Sequence, residues 1–320
     1  MTTPDKQITE EDIQKAMEDY LRNVPTLLKR FINAPQPQDE RYMFNLFGQE
    51  QYLLISKFRL ERLPIRVLRR LPVHLVKQFT VQVELDSLWY WALTHDVILS
   101  SNDQSDFDKS PMRPLFEVLI AAHLAKLSDA PRNSAIGRLN RVISDAVSQP
   151  TKDLVSHTHL ILSYLCYPAL EGLTKQAMSP YIDSNGCVAK TFHDGRRQWN
   201  VGQKVNRLET LLRALEKNAG NLLKPDLSMD LRDFRLEVEK LISVRKQSGD
   251  GWDFIYRQRI VSAHGVASPE LRSSLITNLI CLVVWHLLDE KTLENGLKRM
   301  AEMPENFRRS WGFYYYPPEQ

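Results

Sequence analysis

Cysteine is scarce in this chain. Only Cys166, Cys187 and Cys281 occur, far apart and in no C-x-x-C pair. An odd, scattered set argues against a disulfide framework or a thiolate zinc site, and makes a reducing, cytoplasmic setting the expectation. Glycine is low as well, at 12 of 320 residues, which disfavours a turn-rich β fold and favours long helices. Charge of one sign is missing: 42 basic residues face 39 acidic ones, so bulk electrostatics do not attract the whole chain to nucleic acid. The most apolar window, Leu275–Leu288, contains Asn278 and His286 and falls short of the ~20 residues a bilayer span needs. No membrane association is expected. The first residues, `MTTPDKQITEED`, are polar and acidic, unlike a signal peptide. No Gly-rich phosphate loop, G-x-S-x-G or H-E-x-x-H pattern is present, which removes the commonest nucleotide-dependent, hydrolase and zinc classes. His157 and His159 are two apart, the wrong spacing for one helix face. Accordingly no cofactor and no metal are expected.

What is present is apolar residues at helical spacing. A chain with 43% hydrophobic residues is long enough for two domains and a sizeable core. The pattern predicts an all-α fold: an N-terminal helical region over 1–150, a helical bundle over 151–310 and an aromatic tail over 311–320. In the first region a helix is expected from about Glu10 to Phe31, with short helical pieces over Tyr42–Phe79. The alternation of Phe79, Val81 and Val83 marks a short strand, and helices follow near Met112–Leu127 and Ser134–Ser148. Past the polar stretch `SQPTKD` the helices lengthen: Leu154–Met178, Gln203–Lys217, Asp230–Lys246, Trp252–His264, and one to Asp289 that Ser268 caps and Pro269 starts. `SPYIDSNGCVAK` is expected to be a turn-rich connection.

Among these helices the segment `YRQRIVSAHG`, Tyr256–Gly265, carries the densest chemistry. Arg257 and His264 are seven apart, so on one helix they point within about 20° of each other; Arg259 and His264 diverge by about 140°. Geometry therefore favours Arg257 as the partner of His264, across about 10 Å of helix axis, a span suited to one shared ligand. Arginine forks charged donors onto phosphate oxygens. Histidine exchanges a proton near neutrality. RNA carries its own nucleophile, the 2′-hydroxyl, so a site that holds the phosphate and moves protons can cleave it without a metal. The plainer reading is a helix end with solvated arginines and a histidine on the last carbonyls.

`RQRIVSAH` resembles the R-x(4–6)-H signature of HEPN domains. Arg257 to His264 fits as R-x6-H with the polar Gln258 after the arginine, where the family more often has Asn; Arg259 to His264 fits as R-x4-H, with Ile260 in that place. The motif lies on the penultimate long helix, ahead of an apolar one, and `LCYPALEGLTKQ` is similar to the first helix of such a bundle. The resemblance covers about Thr151 to Met303. It implies a small all-α bundle that commonly dimerises, so that two R-x-H helices share a cleft. It also implies a metal-independent RNase of the kind found in toxins and antiviral defence, with Arg257 on phosphate and His264 as general acid/base. Other family members are catalytically inert and serve as dimerisation or partner-binding modules.

Three further features bear on RNA. Glu171 is the only acid between Leu160 and Leu173. A buried carboxylate must be paired or neutralised, so it is expected to orient Arg257 or His264, or to mark the polar edge of its helix. The run `SKFRLERLPIRVLRRLPVHLVK` bears Arg66, Arg69 and Arg70 among seven cations and one acid. It suits an RNA backbone or a solvated helix face. Arg196 and Arg197 interleave with Phe192 and Trp199, a pattern that suits single-stranded RNA or a plain interhelical loop.

Overall fold

The computed structural model describes residues 64–76, 90–91, 93–94, 97–98, 113–116, 118–119, 158–222, 225–244, 249–263 and 270–302. Of these, 75% are helical, and the fold is all-α. The helix expected over 10–31, the strand near 79–83, the helix over 134–148 and the tail 311–320 lie outside the described residues.

The main helices are α1 (Ile65–Leu75), α2 (Thr158–Ala177), α3 (Leu208–Leu222), α4 (Pro225–Val244), α5 (Gly251–Ala263), α6 (Glu270–Leu287) and α7 (Glu290–Glu302). Helix α6 is the centre. From Leu275 to Trp285 every side chain is buried, and each fully buried Leu, Ile or Val contributes about 1.5–3 kcal/mol over leaving it in water. An all-round apolar helix of this kind belongs inside a core. Helices α1 and α2 pack on α6, α3 packs on α2, α4 on α3 and α1, and α5 covers α3, α4 and α2.

The described parts from both sides of the boundary expected near residue 150 share one hydrophobic core. Polar contacts span it too. The Trp91 indole donates to Asn278 Oδ1 at 2.7 Å and the Trp285 indole to Thr94 Oγ1 at 2.9 Å. Within the C-terminal part, His286 Nε2 lies 3.0 Å from Asp230 Oδ2, both fully buried.

Local chemistry explains the helix limits. Helix α3 starts at Leu208 rather than Gln203, because the backbone ahead of it pairs elsewhere: Val188 N–H donates to Gln203 O and Val205 N–H to Gly186 O. Its buried Leu208, Leu211, Leu212, Leu215 and Ala219 follow the predicted stripe. Helix α4 opens on Pro225, whose missing N–H costs nothing in a first turn. Asp250 caps α5, its Oδ1 accepting from Trp252 N at 2.9 Å and Asp253 N at 3.2 Å. Gly251 permits the tight seat of α5 on α4: a Cβ there would stand 2.8 Å from Arg235 O.

The connection between α2 and α3 is a folded knuckle. Strands β1 (Phe192–His193) and β2 (Gln198–Trp199) pair antiparallel, and bridges join Ile182 to Val188 and Cys187 to Lys204. All three cysteines are free thiols. Burial pushes Cys166 up to about 12 and raises Cys281 strongly, so both stay protonated and inert.

Candidate functional site

Helix α5 is anchored through its first turns. Trp252 is buried, stacks on Phe234 with ring centroids 6.4 Å apart, and donates its indole N–H to Glu216 Oε2 at 2.7 Å. Glu216 also accepts from Arg235 Nε at 3.1 Å, and Arg235 reaches Glu239 at 2.7 Å. Helices α3, α4 and α5 are thereby tied into one charge-balanced joint. The helix runs unbroken to Ala263, so Arg257 lies on a regular helix with a rigid base. Arg257 is exposed, and no described carboxylate pairs with it.

Arg259 is used differently. Its Nη1 donates to Glu171 Oε2 at 2.7 Å, and Lys175 Nζ lies 3.0 Å from Glu171 Oε1. The lone acid on α2 is therefore neutralised by two cations, and its described partners are Arg259 and Lys175 rather than Arg257. This cross-helix pair locks α5 to α2. His264 lies outside the described residues.

The basic N-terminal run divides. Arg66 is exposed on α1. Arg69 is buried, with Nε donating to Trp285 O at 3.1 Å and Nη1 to Glu290 Oε1 at 3.2 Å. Arg70 Nη2 donates to Asp233 Oδ2 at 3.1 Å, and its Nε lies 3.7 Å from Asp230 Oδ1. These two arginines thus hold α1 against α4, α6 and α7. Nothing in the local sequence shows this, since every partner is more than 150 positions away.

In the knuckle, Asp194 organises the turn. Its Oδ1 accepts from the backbone N–H of Arg196 at 2.7 Å and of Arg197 at 2.8 Å, and its Oδ2 from the Trp199 indole at 2.8 Å. Burial pushes the carboxyl up, but those donors and Arg213 outweigh it and hold Asp194 below the usual carboxylate range. Gly195 supplies the left-handed step, φ +93°. Arg196 and Arg213 both bind Asp253 on α5, Arg196 at 2.9 Å. Burial raises the Asp253 carboxyl, and the two guanidiniums bring it below its ordinary value.

Arg197 does not share that engagement: its guanidinium lies over the Trp199 ring, 3.6 Å from the centroid. Phe192 and Trp199 themselves are buried at 4% and 6% exposure. Their faces are closed to a base, contrary to the stacking platform that their spacing suggested. Sequence reasoning missed Asp194 and Asp253 here. The Asp194-Gly195 pair between apolar Phe192 and Trp199 was the available hairpin signal.

Among the described residues no group of His, Cys, Asp and Glu converges as a metal site. No described helix is long and apolar enough to cross a membrane. No protein-family model, curated protein or solved structure matches the chain.

Proposed function

We propose that this protein is an endoribonuclease of the HEPN type that cleaves RNA without a metal. The observation that carries the reading is the contrast on α5: Arg257 is exposed and unpaired among the described residues, while Arg259, two positions on, is consumed by Glu171. In this reading Arg257 binds the scissile phosphate. His264 moves the proton: it takes it from the 2′-hydroxyl as that oxygen attacks phosphorus, the P–O5′ bond breaks, and the leaving 5′-oxygen takes a proton from the imidazolium so formed or from water. The products are a 2′,3′-cyclic phosphate and a 5′-hydroxyl. The Arg259–Glu171–Lys175 cluster holds α5 in place, and RNA runs along the surface that includes Arg257. A homodimer bringing two α5 helices together would complete the cleft.

A second reading, an inert HEPN-like dimerisation or partner-binding module, draws on Ile260 at 42% exposure on α5 and Tyr164 at 54% on α2, apolar groups suited to a protein contact. Purified protein incubated with total RNA in chelator separates the two. The nuclease cleaves, and His264→Ala, folded by circular dichroism, does not. The module leaves RNA intact and loses its partner when Ile260 is made polar.

A further inference from the structure

The described arginines of the bundle interior are committed to acids: Arg69, Arg70, Arg213, Arg235 and Arg259 each meet a carboxylate. At the knuckle the pattern changes. Arg197 and Lys190 within it and Lys217 beside it on α3 are exposed, and no described acid pairs with any of them.

These cations are also ordered. Phe192 and Trp199 pair directly across the hairpin, so their side chains share one face of it. Along that face runs a row of rings. Trp199 stacks on Phe192 at 6.3 Å, and Phe192 meets Tyr181 edge-on at 5.9 Å. A cation closes each end: Arg197 over Trp199 at 3.6 Å, and Lys190 over Tyr181 at 5.3 Å. Lys217 comes in from α3 against the turn, its Cε 3.2 Å from where a Gly195 Cβ would stand.

The turn beneath them is pre-organised by the Asp194 hydrogen bonds, so little entropy remains to be lost on binding. A guanidinium stacked on an indole keeps its second face and its in-plane N–H donors for a ligand. A flexible base fits the face, and a phosphate fits the donors. A duplex, with its bases stacked inside, cannot use the face.

The position matters as well. The knuckle is fastened to α5 by Arg196 on Asp253. Asp253 and Arg257 are one turn apart on the same face of α5, about 6 Å along the axis.

From this we infer that the hairpin turn around Arg197, with Lys217 and Lys190, is a docking platform for single-stranded RNA, feeding a strand along α5 toward Arg257. Arg196, held by Asp253, is its fastening and not its contact. The inference rests on the endoribonuclease reading for its ligand, and the test separates the two. Binding of a fluorescent single-stranded oligouridine to the full chain is followed by anisotropy in chelator, with cleavage of the same oligonucleotide read on a gel.

Arg197→Glu with Lys217→Glu is expected to weaken binding about tenfold at 0.1 M salt and to flatten the slope of log affinity on log salt by about two. Arg197→Lys, which keeps the charge and cannot disturb folding through it, is expected to lose about threefold by losing the flat stack. Arg232→Glu with Lys291→Glu, an equal charge change on exposed positions of α4 and α7, is expected to stay within about twofold. Binding by the knuckle pair within twofold of wild type overturns the platform. So does an equal loss in the control pair, equal affinity for a duplex of the same length, or wild-type protein that binds no RNA. Retained cleavage with unchanged binding in the knuckle pair sinks the platform alone. Binding that depends on Arg197, with no cleavage by any form, sinks the nuclease reading and upholds the platform.

Discussion

The arginines of α1 and those at the knuckle and on α5 have the same chemistry and opposite uses. Arg69 and Arg70 come from the most basic run of the chain, the run that most invites an RNA backbone. Both are spent on the fold, bound to Trp285 O, Glu290, Asp233 and Asp230. Arg197 and Arg257 come from shorter, less basic stretches and face solvent with no described carboxylate partner. Local density of positive charge therefore says little about where an anion binds. What decides is whether the tertiary fold brings a carboxylate to each guanidinium, because a guanidinium already paired must give up that pair to take a phosphate.

Substitutions should separate the arginines spent on the fold from those left to solvent by what they cost in stability. Glu216→Ala leaves the buried Trp252 indole without its acceptor and takes from Arg235 one of its two carboxylates, leaving it Glu239 alone at the α3–α4–α5 joint. A loss of about 3 kcal/mol or more is expected in urea titration. Gly251→Ala forces a methyl against Arg235 O and is expected to cost about 1–3 kcal/mol in the same measurement. Asp194→Asn removes the charged acceptor of the knuckle turn and is expected to cost about 1 kcal/mol at neutral pH.

The sign of the pH effect follows from the lowered carboxyl of Asp194. Its contribution is complete above the ordinary value of 3.8 and fades as pH falls through the lower folded value. The gap between wild type and Asp194→Asn should therefore close in acid and hold steady above it. Arg259→Ala breaks a pair whose arginine is 36% exposed, so about 1 kcal/mol at most is expected. Arg257→Ala should leave the melting temperature unchanged. A large loss there would mean that Arg257 is a structural arginine like Arg69.

Helix existence was legible because the apolar period alone generates it: Leu208, Leu211, Leu212 and Leu215 mark α3 before any contact is known. The ends of α3 were less so, because Val205 is held by the knuckle backbone, a pairing with residues near 186 that no local pattern records. For Glu171 the need for a partner was visible in its apolar surroundings. The identity of that partner, Arg259 across 88 positions, depends on how α5 crosses α2. The same limit hid the fate of Arg69 and Arg70. The knuckle was hidden for another reason: its strands are two residues each, too short to show an alternation.

Cleavage of RNA in chelator by wild type, Arg257→Ala and Arg259→Ala, each shown to be folded, decides which arginine meets the phosphate. If an unpaired Arg257 holds the phosphate, its alanine variant loses at least about 100-fold in rate while Arg259→Ala keeps most of its activity, and the products of wild type end in a 2′,3′-cyclic phosphate. Wild-type rates in Arg257→Ala, or a loss confined to Arg259→Ala, would contradict it.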